Sequence, residues 1–384
     1  MQRVLVLGAG KIGSLVACLL SESGDYEVSL GDISLDASKR LVEDLGLSRV
    51  TPLLLDVRHP DAISAYLTMR RCDAVLSSLP YFCNPVVAGL AREHRLHYFD
   101  LTEDVEVTNQ VKVLSTDSSQ AFVPQCGLAP GFISIAAHDL ITHFDTVDTV
   151  KMRVGALPVH PSNALKYSLT WSTDGLINEY GNICYGIEGG EKVPLLPLEG
   201  YETIEVDGLL YEAFNTSGGL GTLADTYAGK VRTMNYKTLR YPGHVDLIIA
   251  LKEAGFFSEE KMTIDGKEIS PLEFTSKILF NEWRLGPEEE ELTIMKVILR
   301  GDENGRSRTI EYDLLDRYDI STKTSSMSRT TGYTCTASAN LIAKKLFTEK
   351  GVFPPELVGA YKPCFDFVMN YLKERNVNWR KRES

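Results

Sequence analysis

The chain has 384 residues, of which 43% are hydrophobic and 24% charged, and its formal net charge is −12. The length fits two domains, or one with a large insertion, and the composition is that of an ordinary globular protein. The negative charge argues against a nucleic-acid surface, and no apolar run approaches the roughly 20 residues of a membrane span.

Arg3 to Gly13, RVLVLGAGKIG, opens the chain as strand, turn and helix. Val4 to Leu7 is a continuous apolar run, as expected of a strand buried on both faces. Gly8, Gly10 and Gly13 supply G-x-G-x-x-G around Lys11 and Ile12, ahead of an apolar helix over 14–20. In that setting Gly8 permits a tight turn, Gly10 lets a pyrophosphate approach the backbone, and Gly13 lets helix and strand pack closely. Residues 27–31 read as the second strand. Asp32 stands at its end, where a carboxylate accepts hydrogen bonds from an adenosine ribose. It also repels a 2′-phosphate, and Ile33 and Ser34 offer no arginine to reverse that. NAD is therefore expected, with NADP disfavoured.

Helices over 34–46, 61–70 and from 85 to 92 alternate with strands over 50–57, 74–79, 97–101 and 121–125. The alternation predicts an α/β fold, a Rossmann-type doubly wound parallel sheet with right-handed crossovers. Ligands of such sheets lie outside the carboxyl ends of the strands. The turns expected to face cofactor and substrate are 8–13, 32–33, 56–57 (Asp56, Val57), 78–82 (Ser78, Leu79, Pro80), 100–103 and 127–131. Leu101 is assigned to the cofactor. Thr102 can hydrogen-bond substrate or nicotinamide, and Glu103 and Asp104 stand where they can cap the following helix.

The rhythm changes near residue 130. Val147, Val150, Met152 and Val154 fall in an alternating run, and 291–299 and 308–314 read as half-exposed strands. This predicts an inserted α+β substrate domain, 130–330, on a mixed or antiparallel sheet. Residues 330–347 return to a helical pattern, so 331–384 is expected to pack with 1–129. The edge of the second sheet suggests a homodimer or higher homo-oligomer. The seven scattered cysteines contain no C-x-x-C pair, and the seven histidines have no H-E-x-x-H spacing. No metal site is expected, and with no signal peptide the expected location is the cytoplasm.

Several segments are too polar, aromatic and glycine-rich for plain core. They are Cys126-Gly-Leu-Ala129-Pro130-Gly131, Asn163 to Gly175, Glu212-Ala-Phe-Asn215-Thr216-Ser217-Gly-Gly219 and Tyr236-Lys-Thr-Leu-Arg240-Tyr-Pro-Gly-His244, and the G-x-x-P-V stretch Gly155 to Val159 and the late segment Arg329 to Thr334 go with them. Together they resemble the saccharopine dehydrogenase family, and especially its L-lysine 6-dehydrogenase branch. The resemblance implies a two-domain oxidoreductase that oxidises a C–N bond of lysine or a lysine derivative. In the saccharopine-cleaving branch the arginine of the T-x-R-Y-x-G motif binds a substrate carboxylate, a role that falls on Arg240; a surface pairing with Asp246 is the alternative. That branch has an acid where this chain has Ala129. The lysine branch lacks the acid and ends the arginine motif in histidine, as at His244. Trp171 points the other way, since T-W-S resembles the S-W-S of the saccharopine branch. Ala129, Pro130, Gly131, Trp171, Asn215, Thr216, Ser217 and Arg240 are the expected substrate contacts.

The chemistry needs a neutral amine when the hydride leaves, and free lysine's side chain has a pKa near 10.4. A base or a site hostile to the ammonium is required. His244 is the first candidate by type, against a structural histidine beside a Pro-Gly turn. Tyr167, Tyr241 and Lys237 are weaker candidates, and Cys126 reads as buried structure. A small amino acid is the expected partner. Saccharopine would need further cations for its extra carboxylates, with Arg153, Lys166, Lys237 and Arg329 available. The competing readings are a non-catalytic NAD-binding protein of the same fold, against which the polar segments count, and a reductase using NADPH, against which Asp32 counts.

Overall fold

β1 (Gln2–Leu7) is covered on both faces, with Val4 to Leu7 all buried. α1 (Lys11–Glu22) follows with Gly10 as its N-cap, so it starts three residues before the apolar stretch that marks it in the sequence. The alternation continues through β2 (Tyr26–Asp32), α2 (Leu35–Asp44), β3 (Val50–Leu54), α3 (Pro60–Met69), β4 (Ala74–Ser77), α4 (Asn84–Glu93), β5 (His97–Asp100), α5 (Val105–Leu114), β6 (Ala121–Val123) and α6 (Phe132–Ile141). Four strands, β3 to β6, end earlier than the pattern predicts. β3 stops at Leu54, leaving Asp56 and Val57 in a turn. β6 stops at Val123, because Gln125 takes a positive φ of 61° that no strand accommodates. The order is β3-β2-β1-β4-β5-β6, every pair parallel. This computed structural model describes residues 1–169, 173–286 and 289–384, without the side chain of residue 174.

A second sheet forms from β7 (Thr146–Pro158) onward. α7 (Thr173–Gly181) leads to β8 (Cys184–Glu188), β9 (Glu191–Leu195), β10 (Glu202–Val206) and β11 (Leu209–Phe214). After α8 (Leu223–Tyr227) come β12 (Val231–Arg240) and α9 (His244–Glu253). A hairpin of β13 (Met262–Ile264) and β14 (Lys267–Ile269) precedes α10 (Pro271–Glu282), and β15 (Glu291–Glu303) and β16 (Arg306–Arg317) complete the run. The order is β10-β11-β12-β7-β15-β16, with β8 between β12 and β9. β7 and β12 are parallel and the other pairs antiparallel, so the sheet is mixed.

α11 (Ser326–Ala343) begins four residues ahead of the helical pattern read from the sequence. β17 (Gly351–Val352) adds a parallel seventh strand beside β6, and α12 (Pro355–Gly359) and α13 (Lys362–Lys373) follow. β18 (Trp379–Glu383) pairs antiparallel with β16. Two compact units result, 1–142 with 328–378, and 143–327 with 379–384. The sequence pattern puts the first boundary at 129/130 and keeps the whole tail with the first domain. The structure differs because α6 packs with α12, and because 379–383 completes a ladder on β16.

Each unit has its own core. In the first, Leu5, Val75, Tyr98 and Phe122 share one buried cluster, with the Tyr98 and Phe122 rings stacked at 5.3 Å. In the second, Leu157, Phe214, Leu239 and Trp283 do so. Each such side chain contributes about 1.5–3 kcal/mol by leaving water.

Candidate functional site

The first unit carries the dinucleotide signature. A Cβ on Gly13 would lie 2.0 Å from the Gly8 carbonyl oxygen, so only glycine lets α1 approach the turn this closely. A Cβ on Gly10 would meet nothing within 4 Å, and no side chain caps α1 there. The helix N-terminus thus has neither a side-chain cap nor bulk at Gly10, which suits a pyrophosphate. Asp32 is bonded from both sides: its Oδ2 accepts from the Ala9 amide at 2.7 Å and its Oδ1 from the Ser34 amide at 2.8 Å. Ser78 ties the β4 turn to the glycine turn, its hydroxyl lying 3.0 Å from the Leu7 carbonyl and 3.1 Å from that of Gly8. Lys11 is exposed, Ile12 and Leu79 half-buried and Pro80 exposed. Asp56, followed by half-buried Val57, is clamped by Arg58, whose guanidinium holds its carboxyl down at about 2. These residues fit a dinucleotide.

The turn after β5 is fixed by Asp100, which is fully buried. Its Oδ1 accepts from the Thr102 amide at 3.0 Å and the Gln125 amide at 2.8 Å, and its Oδ2 from the Tyr98 hydroxyl at 2.7 Å. Thr102 is buried, and its Oγ1 accepts from the Asp104 amide at 3.1 Å, so it shapes the loop; Leu101 beside it is half-buried. Asp104 then caps α5 through the Val107 amide at 2.8 Å. Glu103 caps nothing. Its Oε1 is buried without a hydrogen-bond partner. Burial, with Asp104 and Asp100 nearby and a partial offset from its own backbone amide, pushes its carboxyl up to about 7. The Gly127–Gly131 turn leads into α6, with Ala129 half-buried and Pro130 buried. Cys126 is fully buried with its thiol pushed up by burial, as expected of structure.

In the second unit Arg240 and His244 meet through Tyr180, a residue that the sequence does not single out. Arg240 Nε donates to the Tyr180 hydroxyl oxygen at 3.0 Å, and Nη1 to the Leu239 carbonyl at 2.8 Å. Its guanidinium carbon stands 4.4 Å from the centre of the Tyr167 ring, which is itself braced edge-on by Trp283. These bonds, rather than a surface pairing with Asp246, hold the buried Arg240. Tyr180 OH is 3.0 Å from His244 Nε2, and His244 Nδ1 is 2.6 Å from the Leu165 carbonyl. A carbonyl only accepts, so Nδ1 carries the proton, Nε2 accepts, and Tyr180 donates to it. Burial, then the Arg240 charge, holds the imidazole down at about 3 despite the Leu165 carbonyl. His244 is a neutral orienting residue, and its geometry does not suit the base that the sequence suggested.

Glu212 is the other residue whose role was not legible. Its Oε2 accepts from the Gly243 amide at 2.8 Å and its Oε1 from the Val245 amide at 2.6 Å, anchoring the N-terminus of α9. Gly243, with φ of 94°, makes the turn that leads His244 into that helix. An acid between the apolar residues Tyr211 and Ala213-Phe214 is the signal that could have exposed this role. Asn215, Thr216 and Ser217 are all buried. Asn215 Nδ2 donates to Leu196 O at 3.2 Å, and the Thr216 and Thr238 hydroxyls lie 2.7 Å apart. Trp171 lies outside the described residues. The proposed cations are engaged: Arg153 and Lys237 share Glu202 at 2.5 and 3.0 Å, Lys166 donates to Pro242 O, and Arg329 to Arg375 O. Of these, Arg153 keeps a buried nitrogen, Nη2, without a hydrogen-bond partner.

Two family models match the chain. Residues 4–122 match the saccharopine dehydrogenase NADP binding domain, and residues 127–377 match the saccharopine dehydrogenase C-terminal domain. The mitochondrial alpha-aminoadipic semialdehyde synthase of Mus musculus is 24% identical over 296 residues, 71% of this chain and 30% of that protein. Alpha-aminoadipic semialdehyde synthase of Arabidopsis thaliana is 25% identical over 322 residues, 72% of this chain and 29% of that protein. The chain thus spans about 30% of the length of these curated relatives. Among solved structures, apo saccharopine dehydrogenase (L-Glu forming) from Saccharomyces cerevisiae matches with a TM-score of 0.81 at 17% identity, covering 100% of both chains. Homospermidine synthase from Legionella pneumophila, solved in complex with NAD, matches with a TM-score of 0.71 at 14% identity, over 100% of this chain and 91% of that one. These two likenesses concern the fold. The chain belongs to the saccharopine dehydrogenase family, whose homologues are NAD(P)-dependent oxidoreductases acting on CH–NH groups.

Proposed function

We propose that this chain oxidises L-lysine at C6, using NAD, to 2-aminoadipate 6-semialdehyde and ammonia. The observation that carries the reading is the state of its cations. Lysine brings one carboxylate, and the buried guanidinium of Arg240 is oriented by Tyr180 and Leu239 with Nη2 outside those bonds. A planar fork held this way suits one carboxylate. The four cations that could meet further carboxylates are committed to Glu202 or to backbone carbonyls.

In this reading Gly8, Gly10, Gly13 and the α1 N-terminus hold the pyrophosphate, and Asp32 accepts from the ribose hydroxyls and disfavours NADP. The dinucleotide, when bound, supplies the hydride acceptor. Arg240 holds the α-carboxylate, and His244 keeps Tyr180 turned so that its oxygen faces Arg240 Nε. The buried Asn215, Thr216 and Ser217 are the further substrate contacts in this reading.

Saccharopine, with release of L-glutamate, is the second reading. The unpartnered Nη2 of Arg153 favours it, because an extra buried guanidinium nitrogen could take another carboxylate. The test is NADH formation by the purified protein with NAD and either L-lysine or saccharopine, with NADP as the parallel cofactor. Ammonia release from lysine supports the first reading. Glutamate release from saccharopine without lysine turnover replaces it with the second.

A further inference from the structure

Oxidation at a C–N bond needs a group that accepts a proton from the substrate's ammonium, since the nitrogen lone pair must be free to form the C=N bond as the hydride leaves. His244 does not serve, because Nδ1 carries its proton to Leu165 O and Nε2 is taken by Tyr180. Asp56 is clamped by Arg58 and held at about 2, too weak a base near neutrality. Asp100 is saturated by Tyr98, Thr102 and Gln125. Tyr180 and Cys126 are pushed upward by burial, away from neutral pH. His97 begins β5, at the opposite end of the strand from the ligand-binding edge.

Glu103 remains. It follows β5 at the carboxyl edge of the parallel sheet, where doubly wound folds bind their ligands. Its neighbours on both sides are fixed, Thr102 by Asp100 and Asp104 by Val107, so the backbone that carries it is rigid. It is 9% exposed, and one carboxylate oxygen is buried with nothing to bond. An unpaired carboxylate oxygen in a dry place is costly unless a ligand satisfies it, and such groups mark functional sites. We propose that Glu103 is the catalytic base, its Oε1 accepting a proton from the ammonium of the bound substrate. The proposal rests on the amine-oxidising reading but not on the choice between lysine and saccharopine.

The step balances. The substrate ammonium gives one proton to the Glu103 carboxylate, which becomes a carboxylic acid. The neutral amine then loses a hydride from its carbon to the nicotinamide, and the nitrogen lone pair forms the iminium. Water adds to that iminium, and the C–N bond breaks to leave an aldehyde and an ammonium. Glu103 returns its proton to solvent. The burial and the negative neighbours Asp100 and Asp104 that hold its carboxyl at about 7 suit it to this work, because a base is most effective with a pKa close to the working pH.

The experiment compares wild type, Glu103→Gln and Glu103→Asp on whichever amine the wild type oxidises. Wild-type kcat/KM should rise with pH through an acid limb at about 7. The Gln variant should lose roughly 100-fold or more, and lose that limb, with NAD affinity by fluorescence titration unchanged. The Asp variant should recover part of the rate and keep a limb. A second readout needs no turnover: the protonated carboxyl band of the substrate-free protein, followed by infrared difference spectroscopy, should titrate at about pH 7 in wild type and be missing in the Glu103→Gln variant. A wild-type acid limb in Glu103→Gln, or no carboxyl titrating near neutrality in wild type, overturns the proposal. Absence of turnover by the wild type on every amine tested would instead count against the amine-oxidising reading, while the infrared titration still judges Glu103.

Discussion

Tyr180 donates its hydroxyl proton to His244 Nε2 across 3.0 Å, which turns its oxygen toward Arg240 Nε. The polarity of the chain Arg240, Tyr180, His244, Leu165 is thereby fixed from end to end. A histidine at the start of α9 sets the orientation of an arginine at the end of β12 without touching it.

Tyr180→Phe should therefore leave both Arg240 Nε and His244 Nε2 unpaired in a buried place. Each orphaned group costs about 1–3 kcal/mol. The expected result is a lower thermal midpoint and a KM for the amino acid raised several-fold, with NAD affinity unchanged. A KM equal to that of the wild type would separate Tyr180 from Arg240 function.

Arg240→Ala should raise the amino-acid KM steeply, on the order of 2–5 kcal/mol in kcat/KM, with NAD binding intact. Arg240→Lys should recover little, because an ammonium cannot reproduce bonds to both Tyr180 and Leu239 and still present a planar fork. Steady-state kinetics on both variants decides it.

Stability should fall in acid through His244. Its pKa is about 3 in the fold and near 6.5 when unfolded. The contribution is whole above 6.5 and disappears as the pH falls toward 3, a difference of about 5 kcal/mol at most. Urea unfolding from about pH 7 to about pH 4 should show this slope in wild type. It should be shallower in His244→Gln, whose side chain carries no titrating proton.

Asp32→Ala combined with Ile33→Arg should move preference toward NADP. Ile33 is 65% exposed, so an arginine there is not forced into the core. The ratio of kcat/KM for the two cofactors is the measurement. An unchanged ratio would remove Asp32 from cofactor choice.

Glu212→Gln should cost about 0.5–2 kcal/mol, since α9 loses a charged acceptor at its amino end. Denaturant unfolding reads the loss, and a rise in amino-acid KM should accompany it because α9 carries His244.

The first unit was the more legible in sequence. Val4 to Leu7 and the glycine spacing carry their own physics, and Asp32 is readable because it ends a strand. Boundaries shifted where backbone geometry overrode apolar pattern, as at Gln125. β8 to β11 were missed because each is only five or six residues long, and in β8, β9 and β11 burial does not alternate strictly along the strand. Arg240 could be named through motif resemblance, but Tyr180 could not. Its partners lie 60 and 64 positions away, and nothing local distinguishes it from a core tyrosine. Asp104 and Glu103 look alike as neighbouring acids before a helix. Only the cap bond to Val107 tells the structural acid from the one that keeps a buried oxygen without a partner.

The division of the chain at 142/143, 327/328 and 378/379 bears on how it reaches this state. Each unit is assembled from two separate pieces. Within the first, the Tyr26 hydroxyl bonds Asn340 across 314 positions, and a Cβ on Gly332 would lie 3.2 Å from Leu15. The nucleotide-binding sheet therefore closes only after the whole intervening unit has been bridged. Contacts of such sequence separation are won late and slowly in folding, and neither unit can be made alone as one uninterrupted segment.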